Sequence, residues 1–143
     1  MSSVILAQTD TTVGFLSQNA NKLFEIKSRD TNKKFIKIYP SLLAFTKTKR
    51  VPNSKKNLVR RAKKTTFIVK DEAFRIVTLP LHSQILRNLQ WYYSTSANEA
   101  NKHFDYDFCT KKADIIIEDS NGFYEKEPST LLKINQIKKR KLR

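Results

Sequence analysis

Glycine is nearly missing from this chain: Gly14 and Gly122 are the only two in 143 residues. Neither a GxxxxGK[ST] phosphate loop nor a GxGxxG dinucleotide fingerprint can be built from them, so any nucleotide must be gripped by side chains. Cysteine is scarcer still. Cys109 stands alone, which excludes an intramolecular disulfide and removes any need for an oxidising compartment. His82 and His103 have no partner at metal-ligand spacing, which argues against zinc. The same histidines lie in unrelated contexts, so no Ser-His-Asp arrangement is supported and covalent catalysis has no candidate nucleophile. An enzyme built from these residues works by positioning and charge stabilisation.

Long apolar runs are also missing. The N-terminal run VILA at 4–7 follows no basic stretch and is too short for a signal peptide or a membrane span. The expectation is a cytoplasmic protein with no membrane partner. Acidic residues are in deficit, with 13 Asp and Glu against 28 Lys and Arg, a formal net charge of +15. Such a surplus draws phosphate-bearing partners, although most of these cations are expected to sit in water. With 39% hydrophobic and 29% charged residues over 143 positions, the chain is globular and is expected to form a single domain, 1–143.

What is present reads as strands alternating with helices. VILA is a short β-branched run that ends at Gln8, and the hydroxyl-rich TDTTVG follows it. NANKLFEIKSRD predicts a helix to about Lys27 or Ser28 with Asn19 as its N-cap. KFIKIYP alternates around Lys37 and stops at Pro40, as a strand does. SLLAF and SKKNLVRRA predict short helices, TTFIVK and AFRIV a strand pair, and LHSQILRNLQ a helix with Leu81, Ile85, Leu86 and Leu89 on one side. WYYS, DIIIED and STLLKIN predict further strands, SNG at 120–122 a turn, and QIKKRKLR a basic, solvated tail. The order implies an α/β fold, a twisted and mostly mixed β-sheet flanked by helices, with ligand sites where strands end.

Three clusters carry candidate chemistry. In EIKSRDTNKK, Lys27 and Arg29 are two apart and do not face each other on a continuous helix. If the helix ends between them, both turn toward one point, with Lys33 entering from the next strand; cations there also offset the helix dipole. In WYYSTSANEAN, residues 91–101, Ser94, Ser96 and Asn98 share a face if the strand continues, where they suit phosphate or ribose oxygens; an ordinary polar turn has the same composition. In EPSTLLKI, Pro128, Ser129 and Thr130 start a strand, which proline tolerates.

TDTTVGF, LFEIKSRDTNKKFIKIY, AFRI, STSAN and PST, in this order, resemble the YrdC-like threonylcarbamoyl-AMP synthase family. That family is marked by Pro-Thr-Asp/Glu-Thr before Tyr-Gly, Lys-x-Arg at the end of the first helix, an Ala-Val-Arg strand, a Ser-Ala-Asn loop and a Pro-Ser-Thr strand start. The matching positions are Thr9 to Gly14, Lys27 to Arg29, Ala73 to Arg75, Ser96 to Asn98 and Pro128 to Thr130. The resemblance implies a nucleotidyltransferase that joins L-threonine, bicarbonate or CO2, and ATP into threonylcarbamoyl-adenylate, releasing pyrophosphate, for the threonylcarbamoyladenosine modification of tRNA. It implies ATP as substrate with Mg2+ bridging its phosphates, and no protein nucleophile.

By the same resemblance, Lys27, Arg29 and Lys33 grip the nucleotide and stabilise its charge, while Ser96 and Asn98 bond its phosphates or ribose. Arg143 falls where the family often has an arginine near the adenylate. Thr9, Arg75, Ser94 and Ser129 hold threonine, Arg75 by a bidentate fork on the carboxylate. If the helix-end cations serve only the nucleotide, replacing Lys27 or Arg29 with Ala weakens ATP binding and leaves the unliganded melt unchanged.

The chain also departs from the family. Gln8 replaces the usual proline, and Val13 the tyrosine before Gly14. RAKK at 61–64 takes the place of Trp-Pro-Gly-Pro, Ile38 fills a position that is often polar, and Phe104 sits where a serine commonly contacts ATP. The alternative is a non-catalytic relative, either binding double-stranded RNA through a basic face or serving as a scaffold for tRNA-modification proteins.

Overall fold

A computed structural model describes residues 2–28, 34–47, 49–77 and 89–143. Arg29, Lys33, His82 and residues 81–88 of the predicted helix lie outside the described residues. Among the described residues, nine strands form: β1 (Ile5–Gln8), β2 (Val13–Ser17), β3 (Ile36–Tyr39), β4 (Thr65–Val69), β5 (Glu72–Ile76), β6 (Tyr92–Ser96), β7 (Ile115–Ile117), β8 (Thr130–Ile134) and β9 (Lys139–Lys141). Four α-helices accompany them: α1 (Ala20–Lys27), α2 (Leu42–Thr46), α3 (Lys56–Arg61) and α4 (Tyr106–Lys112). The chain folds as two compact units, each assembled from two separated stretches: Met1–Phe35 with Tyr93–Glu127, and Ile36–Tyr92 with Pro128–Arg143.

In the first unit the strand order is β7-β1-β2-β6. β1 runs parallel to β7, with Ile5 beside Ile115, and antiparallel to β2, with Ala7 beside Gly14. Every residue of β1 and β2 is buried, so neither shows the apolar-polar alternation of a half-exposed strand. Asn19 caps α1 as expected: its side-chain oxygen accepts the N–H groups of Asn21 at 3.1 Å and Lys22 at 3.4 Å. α1 ends at Ser28, which adopts the left-handed conformation, φ 47°. Leu23 of α1 and Cys109 of α4 meet Val4, Leu6, Val13 and Phe15 in the core. The sequence reading left β2 and α4 unassigned.

In the second unit the order is β3-β5-β4-β8-β9. β4 and β5 form a hairpin whose two turn residues, Lys70 and Asp71, both lie at positive φ, 49° and 65°, as the twist of a two-residue hairpin turn requires. Ser41 caps α2, its hydroxyl accepting the Ala44 N–H at 3.1 Å. That helix brings Phe45 onto Phe74, stacked at 4.0 Å, with Tyr39 edge-on at 5.1 Å. Val51, Val59, Phe67 and Ile134 complete this core.

The basic C-terminal segment corrects an expectation, because it is not a solvated tail over its whole length. β9 pairs antiparallel with β8, with Lys133 beside Arg140 and Ile134 beside Lys139. Asn135 makes the reversal: its side-chain oxygen accepts the N–H groups of Ile137 at 2.8 Å and Lys138 at 2.7 Å. An all-exposed Lys-Arg-Lys strand is held by backbone pairing alone, so no apolar periodicity betrays it. In both units parallel and antiparallel pairs coexist, as a mixed sheet demands.

Candidate functional site

In the first unit the first and second clusters meet. Lys27 closes α1, is only 4% exposed, and aims its ammonium at the loop that follows β6. Its Nζ donates to the Ser96 carbonyl at 3.1 Å, the Asn98 carbonyl at 2.9 Å and the Asn98 side-chain oxygen at 2.5 Å. An ammonium has three protons, and these three acceptors match them. Ser96 Oγ donates to the same Asn98 oxygen at 2.8 Å, and Asn98 Nδ2 donates to the Lys102 carbonyl at 2.5 Å. β6 stops at Ser96, so Asn98 arrives by a bend and not by strand alternation. The Ser96 and Asn98 carbonyls and the Asn98 side chain thus surround a buried cation.

A second feature of this unit is the close packing at Gly14. A Cβ there would stand 3.1 Å from Thr9 Cγ2, 3.1 Å from the Thr95 carbonyl and 3.7 Å from Ser94 Oγ. The missing side chain brings Thr9 and Ser94 to one spot. Thr9 is fixed by its own turn: its hydroxyl donates to the Thr12 carbonyl and accepts the Thr11 N–H at 3.2 Å.

In the second unit a polar row crosses the sheet. Arg75 of β5 lies beside Ile38 of β3, and carrying the β4–β5 register one step past Phe67 and Phe74 places Thr66 opposite Arg75. The strand alternation sets these residues on the face away from Phe67 and Phe74. The Thr66 and Ser129 hydroxyls are 2.7 Å apart. Arg143 reaches the same serine, donating from Nε to the Ser129 carbonyl at 2.9 Å and from Nη2 to its hydroxyl at 3.2 Å. Its own backbone is held by Leu131, whose N–H donates to the Arg143 carbonyl at 2.9 Å. Arg75, Thr66 and Ser129 are all buried.

No protein-family profile matches the chain, and no curated protein matches it significantly. Solved structures do. Sua5 of P. abyssi, in a crystal structure complexed with L-threonine, is similar at TM-score 0.81 and 16% identity, over 99% of this chain and 50% of that one. E. coli YciO follows at TM-score 0.80 and 18% identity, over 99% of this chain and 82% of that one. Full-length HypF, in a phosphate- and nucleotide-bound form, is similar at TM-score 0.79 and 13% identity, over 99% of this chain and 26% of that one. The chain has the Sua5/YrdC fold. It spans half the length of the Sua5 chain it matches.

On that fold, the residues where this sequence departs from the family pattern have visible work. Gln8 accepts the Tyr124 N–H at 2.9 Å through its side-chain oxygen, a bond that proline cannot make, while its Nε2 is buried without a hydrogen-bond partner. Phe104 donates its backbone N–H to Glu125, and its ring meets Phe123 edge-on at 6.0 Å. The Phe104 N–H, helped by His103 at 3.1 Å, holds the Glu125 carboxyl below its usual range. Ile38 sets an apolar neighbour beside Arg75. Thr66 was missed by sequence reasoning; its place opposite Arg75 in a strand pair was the available signal.

Among the described residues, no group of three or more His, Cys, Asp or Glu is placed to hold a metal ion. Among them also, no helix is long and apolar enough to cross a membrane.

Proposed function

We propose that the chain is an L-threonylcarbamoyladenylate synthase, making threonylcarbamoyl-AMP and pyrophosphate from L-threonine, bicarbonate or CO2, and ATP for tRNA modification. The observation that carries this reading is the convergence of Lys27, Ser96 and Asn98, some 70 positions apart in sequence, on the fold shared with an L-threonine-bound Sua5. Full-length HypF, solved in a phosphate- and nucleotide-bound form, shares this fold over 26% of its own chain.

The threonine amine adds to CO2 and loses a proton, giving a carbamate. A carbamate oxygen attacks the α-phosphorus, the bond to the bridging oxygen breaks, and pyrophosphate leaves with that electron pair. Charge stabilisation and alignment are what the protein supplies. Lys27 acts through the loop, fixing Ser96 Oγ and Asn98 to meet the nucleotide while placing a buried positive charge beneath it. Thr9 and Ser94, brought together at Gly14, suit the small polar groups of an amino acid. Arg75 suits the carboxylate, and Arg143 with Thr66 orients Ser129. Arg29 and Lys33 add cations to the triphosphate. Magnesium enters on the triphosphate as part of the substrate.

The test is pyrophosphate release from ATP, bicarbonate and magnesium with and without L-threonine. Release that depends on threonine, and falls at least about tenfold in Arg75→Ala, is the expected result. A folded protein that releases no threonine-dependent pyrophosphate overturns the reading.

A further inference from the structure

Among the described residues, β7 ends the strand order of the first unit, paired on one side with β1. Ile115 donates its N–H to the Val4 carbonyl at 3.1 Å, so strand alternation turns the N–H and C=O of Ile116 away from β1. Those groups form an open edge onto which a further strand can pair. Ile115 and Ile116 are 42% and 44% exposed and point to opposite faces, so apolar surface lies uncovered on both sides of the edge. Proteins usually guard such an edge with Lys, Pro or a bulge. The outer strand β9 of the second unit carries that guard as Lys-Arg-Lys, whereas β7 is Ile-Ile-Ile and is limited by its shortness alone.

The charges around β7 decide what fits there. Residues 99–127 hold eight of the 13 Asp and Glu but four of the 28 Lys and Arg, in a chain of net charge +15. Asp114 precedes the strand and Glu118 and Asp119 follow it, all three exposed. Tyr106 of α4 extends the patch: its hydroxyl donates to Glu118 at 2.9 Å, and its half-exposed ring lies 6.2 Å from Phe123. Lys22 pairs with Asp114 at 3.7 Å, and Lys111 and Lys112 close α4 ahead of it, so the acidic balance is strongest past the strand, at Glu118 and Asp119. A second copy suits this edge poorly. Antiparallel pairing about the outward-facing Ile116 sets Asp114 of one copy opposite Glu118 of the other at both ends, and like charges opposed across strands repel.

We propose that β7 is a docking edge for an extended segment of a basic partner protein. The segment adds as a strand beside Ile116, covers Ile115 and Ile116 with apolar side chains, and sets Lys or Arg against Glu118 and Asp119. The probe is a fluorescein-labelled peptide, Lys-Lys-Ile-Val-Ile-Lys-Lys, read by anisotropy at about 0.05 M salt. The native protein should bind it. The same peptide N-methylated on its three central residues keeps its charge and loses its ladder donors, and should bind at least about tenfold more weakly.

Ile116→Pro removes the outward N–H without costing a bond to β1, a change that an edge strand tolerates; it should keep a cooperative melt and lower affinity for the peptide at least about tenfold. Glu118→Gln/Asp119→Asn should lower affinity about fivefold at the same salt and lose that effect near roughly 0.5 M. Asp71→Asn/Glu72→Gln removes the same charge from the second unit and should change affinity less than about twofold, which controls for net charge. Equal binding of the methylated peptide, equal losses in the two charge variants, or no binding to the native protein would overturn the proposal. A dimer in sedimentation that Ile116→Pro dissociates, with no peptide bound, would also overturn it and assign the edge to a second copy.

Discussion

At the Lys27 ammonium, three protons meet three protein oxygens within 3.1 Å, so this cation is a structural member before it meets any ligand. The expectation of an unchanged unliganded melt on its removal is therefore reversed. Lys27→Met should destabilise the unliganded protein by about 1–2 kcal/mol, because the half-buried Asn98 carbonyl loses its charged donor, while the Ser96 carbonyl keeps the Asn98 N–H and Asn98 Oδ1 keeps the Ser96 hydroxyl. Lys27→Arg should not restore it, since a planar fork cannot replace a compact point of charge among three converging oxygens. Urea denaturation of the unliganded variants is the measurement; a wild-type midpoint for Lys27→Met would return this lysine to a purely nucleotide-facing role. The residue types were legible in STSAN and EIKSRD, but the partnership was not. Nothing in one dimension tells a lysine that grips a loop from a lysine that grips a phosphate, and Arg143 was equally opaque until its guanidinium was seen against Ser129.

Elements became legible where burial imprinted a period. β1, α1, β3, β4, β5 and β8 announce themselves by apolar runs, an Asn cap or a Pro stop. β2 hid because VGFLS contains a glycine and a serine, residues poor in strand propensity, although all five positions are buried. β9 hid because its side chains bury nothing. α4 has only Cys109 fully buried among YDFCTKK, too little for an apolar stripe. That cysteine offers a probe of the helix: burial pushes its thiol above the ordinary value, and the thiolate is the reactive form. At pH 8 the native protein should react with a thiol reagent more than about tenfold more slowly than the denatured chain, at a rate set by the opening of α4. Equal rates would mean that α4 does not shield Cys109 in solution.

For the whole molecule, +15 formal charges on 143 residues impose self-repulsion on the compact state. Few of these charges are offset by ion pairs in the described residues; Lys49 with Glu72 at 3.0 Å and Lys102 with Glu99 at 2.9 Å are exposed pairs of small worth. Raising monovalent salt from about 0.02 to 0.3 M shortens the screening length to well under the size of a domain. The melting temperature should therefore rise by a few degrees, as about 1 kcal/mol does for a chain of this size. A melt that is flat or falls with salt would show that the lysines are already compensated. The fold class was legible from the alternation of elements, whereas the interleaving of two units was not, because it depends on pairings between distant segments. β1 takes a parallel partner at 115–117 and β4 one at 130–134. On the ribosome, each unit must therefore wait for its second stretch, and a nascent chain halted near residue 90 presents unsatisfied edges on β1, β2 and β4 that a chaperone or an aggregate can occupy.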